Sequence, residues 1–278
     1  MQVTVWGARG SIPVSGPEYV RYGGDTTCLE IRGPGEPLLV DAGTGIRRAG
    51  NRLHAERARR IHLLFTHAHW DHVIGFPFFR PLFTAGVRID VYGCLEAQVS
   101  LREMVGRTME APNFPVDLGD VAAEIVYHEP CRERFTAGGL TVTTLPLSHP
   151  NGGVGYCFEE EGRRLVFLTD NELGQVHPGG LVAEEYRRFA AGAELLLHDG
   201  EFTAEEYRQT RGWGHSTWSE ALELALSAGV QRFGLWHHNM NRDDESLERI
   251  VAECRSRSGA AGAQVEVFAA IQGQRLTV

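Results

Sequence analysis

The stretch Thr66-His67-Ala68-His69-Trp70-Asp71-His72 follows Ile61 to Phe65, which reads as a buried strand. It places three imidazoles and one carboxylate within six positions. Neutral imidazole and carboxylate are the preferred ligands of zinc and similar borderline metals. A core strand has no need of such a run, and a solvated loop rarely supplies one. The spacing favours two ions over one. His67 and His69 are two apart, so on extended backbone they point the same way and can share an ion. Asp71 and His72 are adjacent, so they diverge and can hold a second.

Working outward, further candidate ligands stand where apolar runs end. His149 follows Val142 to Leu147, Asp170 follows Leu165 to Leu168, and His237 follows Phe233 to Trp236. One polar residue at a strand tip means little, but several suggest strand ends converging on one site. Strands are also expected at Met1–Trp6, Leu38–Asp41, Arg88–Tyr92, Leu140–Leu147 and Leu195–Asp199. Gly155 to Thr169 reads as a hairpin turning near Glu161-Gly162, and Val265–Phe268 with Gln274–Val278 as a terminal strand pair. Helices are expected at Leu95–Arg107, Ser219–Ala228 and Asp244–Ser256. Many strands with interspersed helices suggest two sheets covered by helices.

The chain of 278 residues fits one domain, 1–278. A net charge of −9 argues against capture of large nucleic acid, which needs a basic face. The five cysteines, Cys28, Cys94, Cys131, Cys157 and Cys254, are scattered and form no C-x-x-C. A disulfide framework or cysteine zinc site is therefore not expected, and Cys28, Cys94 and Cys157 read as small buried hydrophobes. No signal peptide or membrane-spanning run is visible, so a cytoplasmic location is expected.

His67-x-His69-x-Asp71-His72, then His149, Asp170 and His237, resembles the ligand set of the metallo-β-lactamase superfamily. Asp41, in Leu39-Val40-Asp41-Ala42-Gly43-Thr44-Gly45, matches the family's upstream Asp, which lies behind the metal site and orients the ligand loop. The resemblance covers nearly the whole chain. It implies an α/β (α+β) fold, an αββα four-layer sandwich with the metals at one sheet edge. His67, His69 and His149 would hold the first metal, Asp71, His72 and His237 the second, and Asp170 would bridge them. The cofactors implied are two divalent ions, with zinc leading and manganese or iron also suited. His238 rivals His237. Adjacent residues on a strand face opposite ways, so one of the two is the ligand, and the motif selects His237.

Gly212-Trp213-Gly214-His215-Ser216-Thr217 narrows the branch. Thr217 and Glu220 form a capping-box pattern, which puts His215 just outside a helix start. Taken alone, His215 is as readily an exposed loop residue. His-Ser-Thr is similar to the motif of ribonuclease Z and PhnP-type phosphodiesterases, where the His contacts the scissile phosphate and protonates the leaving oxygen. The resemblance therefore implies phosphodiester cleavage by a metal-bridging hydroxide, with His215 as general acid and Asp71 hydrogen-bonding the hydroxide. Ribonuclease Z carries a tRNA-gripping arm between the positions of His149 and Asp170. Here those residues are 21 apart, which leaves no room for one. A small phosphodiester is expected, with 3′,5′- or 2′,3′-cyclic nucleotides leading. A homodimer is a family expectation. The alternatives are a lactonase or thioesterase on the same fold, or a non-catalytic metal-binding protein.

Ser11 and Arg9 either approach a phosphate or shape a turn. His198 and Asp199 follow a strong strand and are expected beneath the metal ligands, since metal-bound His donates its other N–H to a partner. Residues 75–79 and 104–115 read as an apolar wall for an organic group or as core packing or a dimer interface. Packing is favoured, because apolar stripes usually pack. Arg47-Arg48, Arg52 and residues 56–60 read as a solvated helix face.

Overall fold

The computed structural model describes residues 1–94, 100–128, 132–262 and 264–278. In chain order its strands are β1 (Gln2–Gly7), β2 (Cys28–Arg32), β3 (Leu38–Val40), β4 (Arg60–Phe65), β5 (Arg88–Gly93), β6 (Glu124–His128), β7 (Arg134–Ala137), β8 (Leu140–Pro146), β9 (Val154–Glu160), β10 (Arg163–Leu168), β11 (Leu195–Asp199), β12 (Arg232–Trp236), β13 (Glu266–Ala269) and β14 (Arg275–Thr277). The helices are α1 (Ile46–Ala55), α2 (Trp70–Val73), α3 (Leu101–Arg107), α4 (Ala183–Ala190), α5 (Ala204–Thr210), α6 (Trp218–Ala228) and α7 (Asp244–Ala260).

The strands form two seven-stranded sheets, ordered β14-β1-β2-β3-β4-β5-β6 and β13-β12-β11-β10-β9-β8-β7. In the first, β3 to β6 run parallel; in the second, β10 to β13 do. Parallel strands covered on both faces read as continuous apolar runs. Phe65 and Leu63 of β4, and Leu195 to Leu197 of β11, are buried accordingly.

Three apolar clusters separate the layers. Val5, Leu29, Val40 and Leu64 meet Val142, Phe158, Phe167, Leu197 and Trp236 between the sheets. The outer face of the first sheet packs on α1 through Ile46, Ala49 and Leu53, spaced to share one helix face. The outer face of the second packs on α4, α6 and α7 through Tyr186, Ala221, Ala225, Ile250 and Cys254. The result is the expected helix–sheet–sheet–helix sandwich. The α6 helix starts on the expected Thr217–Glu220 capping box and ends on Gly229 in the left-handed region.

Several expectations need correction. The terminal strands are not a pair. β13 runs parallel to β12 in one sheet, whereas β14 runs antiparallel to β1 in the other. Each is short and apolar on one face, so sequence pattern could not tell which edge it would complete. Cys94 is not a buried hydrophobe but is disulfide-bonded. Cys28, Cys157 and Cys254 are free and buried, and Cys131 lies outside the described residues. The expected start of the helix at Leu95 also falls outside them, with α3 beginning at Leu101. Phe76, Phe79, Met104 and Val105 are core residues beneath the first sheet, as the packing reading expects. Among the described residues no helix is long and apolar enough to cross a membrane.

Candidate metal centre

Both parallel runs end at the same edge of the sandwich. β3 leads into Asp41, β4 into Thr66–His72, β10 into Asp170, β11 ends on Asp199, and β12 leads into His237. The carboxyl ends of parallel strands are the usual place for a site in such sheets. Three of these residues take left-handed backbone: Asp41 (φ 62°), Asp170 (φ 51°) and His237 (φ 54°). For a residue with a side chain this costs roughly 1–3 kcal/mol and persists only where surrounding bonds hold it.

The edge gathers two overlapping ligand groups. His67, His69, His149 and Asp170 form one, and Asp71, His72, Asp170 and His237 the other. Asp170 is common to both. Its Oδ2 lies 3.5 Å from His67 Nε2 and 3.3 Å from His237 Nε2, and its Oδ1 lies 3.3 Å from His72 Nε2.

In most of these imidazoles an outer partner fixes one ring nitrogen and leaves the other facing inward. Asp41 accepts from His72 Nδ1 at 2.8 Å while also accepting from the Thr66 amide and hydroxyl. Glu201 accepts from His237 Nδ1 at 2.9 Å and from the Asn239 side chain at 2.8 Å. The Gly214 carbonyl accepts from His149 Nδ1 at 3.0 Å, and Thr66 Oγ1 lies 3.1 Å from His67 Nδ1. Such outer partners set the tautomer and aim of metal-binding histidines. Two glycines are required by close approach. A Cβ at Gly10 would sit 2.2 Å from His237 Nδ1, and one at Gly214 would sit 2.0 Å from His149 Nδ1.

The donor set fits cations. The inward Nε2 atoms of His67 and His72 are buried and have no hydrogen-bond partner. Unpaired buried polar atoms cost free energy and call for an explanation such as an ion. His149 Nε2 and His69 Nδ1 face each other at 3.0 Å. Burial lowers the pKa of His149 to about 3, so its inward nitrogen presents a lone pair. Burial also pushes His67 well down, whereas at His72 and His237 it is outweighed by surrounding carboxylates, which hold both imidazoles well above their usual range. Mixed imidazole and carboxylate donors of this kind suit zinc, manganese or iron.

A third group, Asp199, His215 and His237, adjoins the other two. Here the polar atoms already have partners: Asp199 Oδ2 accepts from His215 Nδ1 at 2.7 Å. The His215 ring stacks on that of His237 at 4.4 Å and lies 5.3 Å from that of His149. Burial lowers its pKa, but Asp199 and Glu201 outweigh that and raise it to about 9. His215 is thus a buried side chain beside the two ligand groups, not an exposed loop residue.

The remaining expected residues divide. His238 turns away, donating from Nε2 to the Ala270 carbonyl at 2.9 Å, so of the adjacent pair only His237 faces the site. The Ser11 amide donates to Asp71 Oδ2 at 2.9 Å, which brings its loop over the site. Arg9 is instead buried, and its guanidinium donates to the carbonyls of Gly23, Asn239 and Arg242. His198 touches Asn171 and the Asp199 carbonyl rather than a ligand.

Sequence reasoning missed Glu201 and Glu172. Glu201 stands two residues beyond Asp199 and touches His237. Glu172 stands two beyond Asp170, and its carboxylate accepts from Tyr207, His177 and the amides of Gly212 and Gly214. Strand alternation could not have flagged Glu172, because the left-handed Asp170 breaks the extended backbone before it.

Comparison with known proteins agrees with this geometry. Residues 37–238 match the family described as Beta-lactamase superfamily domain. A ribonuclease Z of Methanothermobacter thermautotrophicus is 26% identical over 285 residues, covering 85% of this chain and 86% of that protein. The metallo-beta-lactamase fold protein YhfI of Bacillus subtilis superposes with a TM-score of 0.70 at 19% identity, covering 99% of each chain. A diphosphatase from the PhnP family superposes with a TM-score of 0.69 at 16% identity, covering 100% of this chain and 97% of the other. With its fold, its converging strand ends and this match in hand, the chain belongs to the beta-lactamase superfamily.

Proposed function

We propose that this protein is a two-metal phosphodiesterase acting on small phosphodiesters, with cyclic nucleotides as leading substrates. The observation that carries the reading is the placement of His215, its Nδ1 held by Asp199 at 2.7 Å and its ring against those of His149 and His237. A hydrolase that only activates water has no need of a further imidazole held by a buried carboxylate there. Phosphodiester cleavage does, because an alkoxide leaves poorly without a proton.

In this reading His67, His69 and His149 would hold one ion and Asp71, His72 and His237 the other, with Asp170 available to both. Divalent ions at such a site act as Lewis acids and lower the pKa of water from about 16 toward about 7. Asp41, Glu201 and the Gly214 carbonyl keep the ligand imidazoles aimed. Asp71 orients the attacking water, its Oδ2 being anchored by the Ser11 amide. His215 uses Nδ1 to hold Asp199, and Nε2 delivers the proton to the departing oxygen. Asp199 stabilises the imidazolium and fixes its orientation, as the buried partner of a catalytic histidine does.

Substrate size follows from two features. The 149–170 segment holds only the β9–β10 hairpin, and the net charge is −9. Neither supplies the basic surface that holds a long polyanion. The curated relative's name, ribonuclease Z, makes RNA the competing substrate.

The test is a hydrolysis screen with Mn²⁺- or Zn²⁺-loaded protein against bis-p-nitrophenyl phosphate, 3′,5′- and 2′,3′-cyclic nucleotides, a precursor tRNA and a lactone. The cyclic nucleotides, which lose an alkoxide, should be cleaved, and His215→Ala should lower this by about 10²–10⁴-fold while retaining bound metal; bis-p-nitrophenyl phosphate, whose nitrophenolate leaves without a proton, should be cleaved by both proteins. Preference for the lactone, or full activity of His215→Ala on the cyclic nucleotides, refutes the reading. Preference for precursor tRNA refutes the small-substrate part.

A further inference from the structure

Two indoles stand out around the metal centre. Trp70 is 62% exposed and Trp213 is 63% exposed, although tryptophan is ordinarily well buried. Each is joined directly to the site. Trp70 lies between His69 and Asp71, as the first residue of α2. Trp213 precedes Gly214, whose carbonyl holds His149. His69 and His149 face each other at 3.0 Å, so the two segments that carry these indoles meet at the first ligand group.

Neither is carried on a loose loop. Trp70 is bracketed by two of the converging side chains, and its carbonyl accepts from the Ile74 amide at 2.8 Å. The Trp213 support is more specific. The Glu172 carboxylate spans it, accepting from the Gly212 amide through Oε1 and from the Gly214 amide through Oε2, both at 2.8 Å. Glu172 is itself fixed by Tyr207 at 2.6 Å and His177 at 2.7 Å. Both flanking glycines are in the left-handed region, with φ 88° and φ 97°. The chain thus builds a rigid pedestal for a solvent-facing indole. Rigid aromatic anchors of this kind bind at low entropic cost.

We propose that Trp70 and Trp213 form an aromatic rim that stacks a nucleobase of the substrate on the first-ligand-group side, so that the preferred phosphodiesters are those of nucleosides. The substrate part of this rests on the phosphodiesterase reading above; the stacking does not. An electron-rich indole face favours a planar heteroaromatic ring. Arg9, the arginine the sequence offers for a phosphate contact, is occupied by main-chain carbonyls, which leaves base stacking to supply recognition beyond the scissile group. The second-ligand-group side differs: its exposed apolar residues are the aliphatic Ile12 and Met240, one beyond Ser11 and two beyond His238.

The experiment compares binding of adenosine 5′-monophosphate and ribose 5-phosphate to metal-loaded protein by calorimetry, with tryptophan emission as a second readout. Stacking contributes about 1–3 kcal/mol per base, or roughly 5- to 150-fold in affinity. Wild type should bind the nucleotide tighter by such a factor, with quenched emission. Trp70→Ala and Trp213→Ala should each lose most of that advantage while binding ribose 5-phosphate as before, and Trp→Phe at either position should keep it. Equal affinity of wild type for the two ligands overturns the proposal. So does an undiminished nucleotide preference in both alanine variants, or a parallel loss for both ligands in the folded phenylalanine variants. Methyl p-nitrophenyl phosphate separates the two readings. If wild type fails to hydrolyse it but binds the nucleotide in this tryptophan-dependent way, the rim stands and the phosphodiesterase reading falls.

Discussion

The Asp199 carboxylate accepts from Nδ1 of His215 at 2.7 Å, and both groups are buried. The pair sets the protonation state on which the proposed acid step depends. With the His215 pKa raised to about 9, the imidazole is charged at neutral pH and loses its proton above that value. Phosphodiester kcat should therefore hold through neutrality and fall on an alkaline limb near pH 9. Asp199→Asn removes the supporting charge, so the limb should move toward neutral pH. Loss of a positioned acid costs about 10²–10⁴-fold, and Asn should approach the lower end of that range. A pH–rate profile in which the variant's limb stays in place would show that Asp199 does not act through His215.

Asp170 belongs to both ligand groups. Asp170→Ala should therefore lower metal content more than His149→Ala, which removes a donor from one group only. Elemental analysis of protein purified without chelator reads this directly. Chelation should also lower the melting temperature, since an ion at 1,000 times its Kd contributes about 4 kcal/mol. Equal metal content in the two variants would break the shared-carboxylate assignment.

Glu172 accepts four hydrogen bonds that fix the loop bearing Trp213 and His215. Glu172→Ala leaves those donors unsatisfied at a largely buried position, at a cost of about 3 kcal/mol or more. Urea denaturation should show that loss. In the folded fraction kcat should fall while metal content stays at the wild-type level, because no proposed ligand is touched.

Acid should destabilise the chain well before its carboxylates titrate. Burial lowers the pKa of His198 to about 4 and of His238 to about 3, so both stay neutral when folded. Unfolded, they take up a proton near pH 6.5. The unfolded state thus binds more protons below pH 6.5, and stability falls with pH through that window. By pH 5 the loss is about 2 kcal/mol for each histidine. Thermal melts of chelated protein between pH 7.5 and 5 should show it. His238→Gln, which keeps a donor for the Ala270 carbonyl, should flatten the dependence.

Much of the site was legible because metal-binding chemistry restricts residue type and spacing. The run from His67 to His72, with His149, Asp170 and His237, predicts which strand ends must meet, and the fold brings them together. What the sequence hid were contacts that depend on three-dimensional direction. Glu172 and Glu201 look like ordinary acidic residues until β10 and β11 set them against Gly214 and His237. Arg9 carries the charge expected of a phosphate contact, but only the fold shows its guanidinium enclosed by carbonyls. The destination of β14 was equally hidden, because strand pattern reveals a buried face and not a partner.

The candidate ligands are divided between the two sheets. His67, His69, Asp71 and His72 follow β4 in the first sheet, while His149, Asp170 and His237 follow β8, β10 and β12 in the second. Each ligand group draws from both sheets. An ion bound by either would act as a clasp across the open rim of the sandwich. The same atoms that bind the ions would then report how tightly the two halves are shut, and a chain that had lost its metals would gape first at the edge where its chemistry resides.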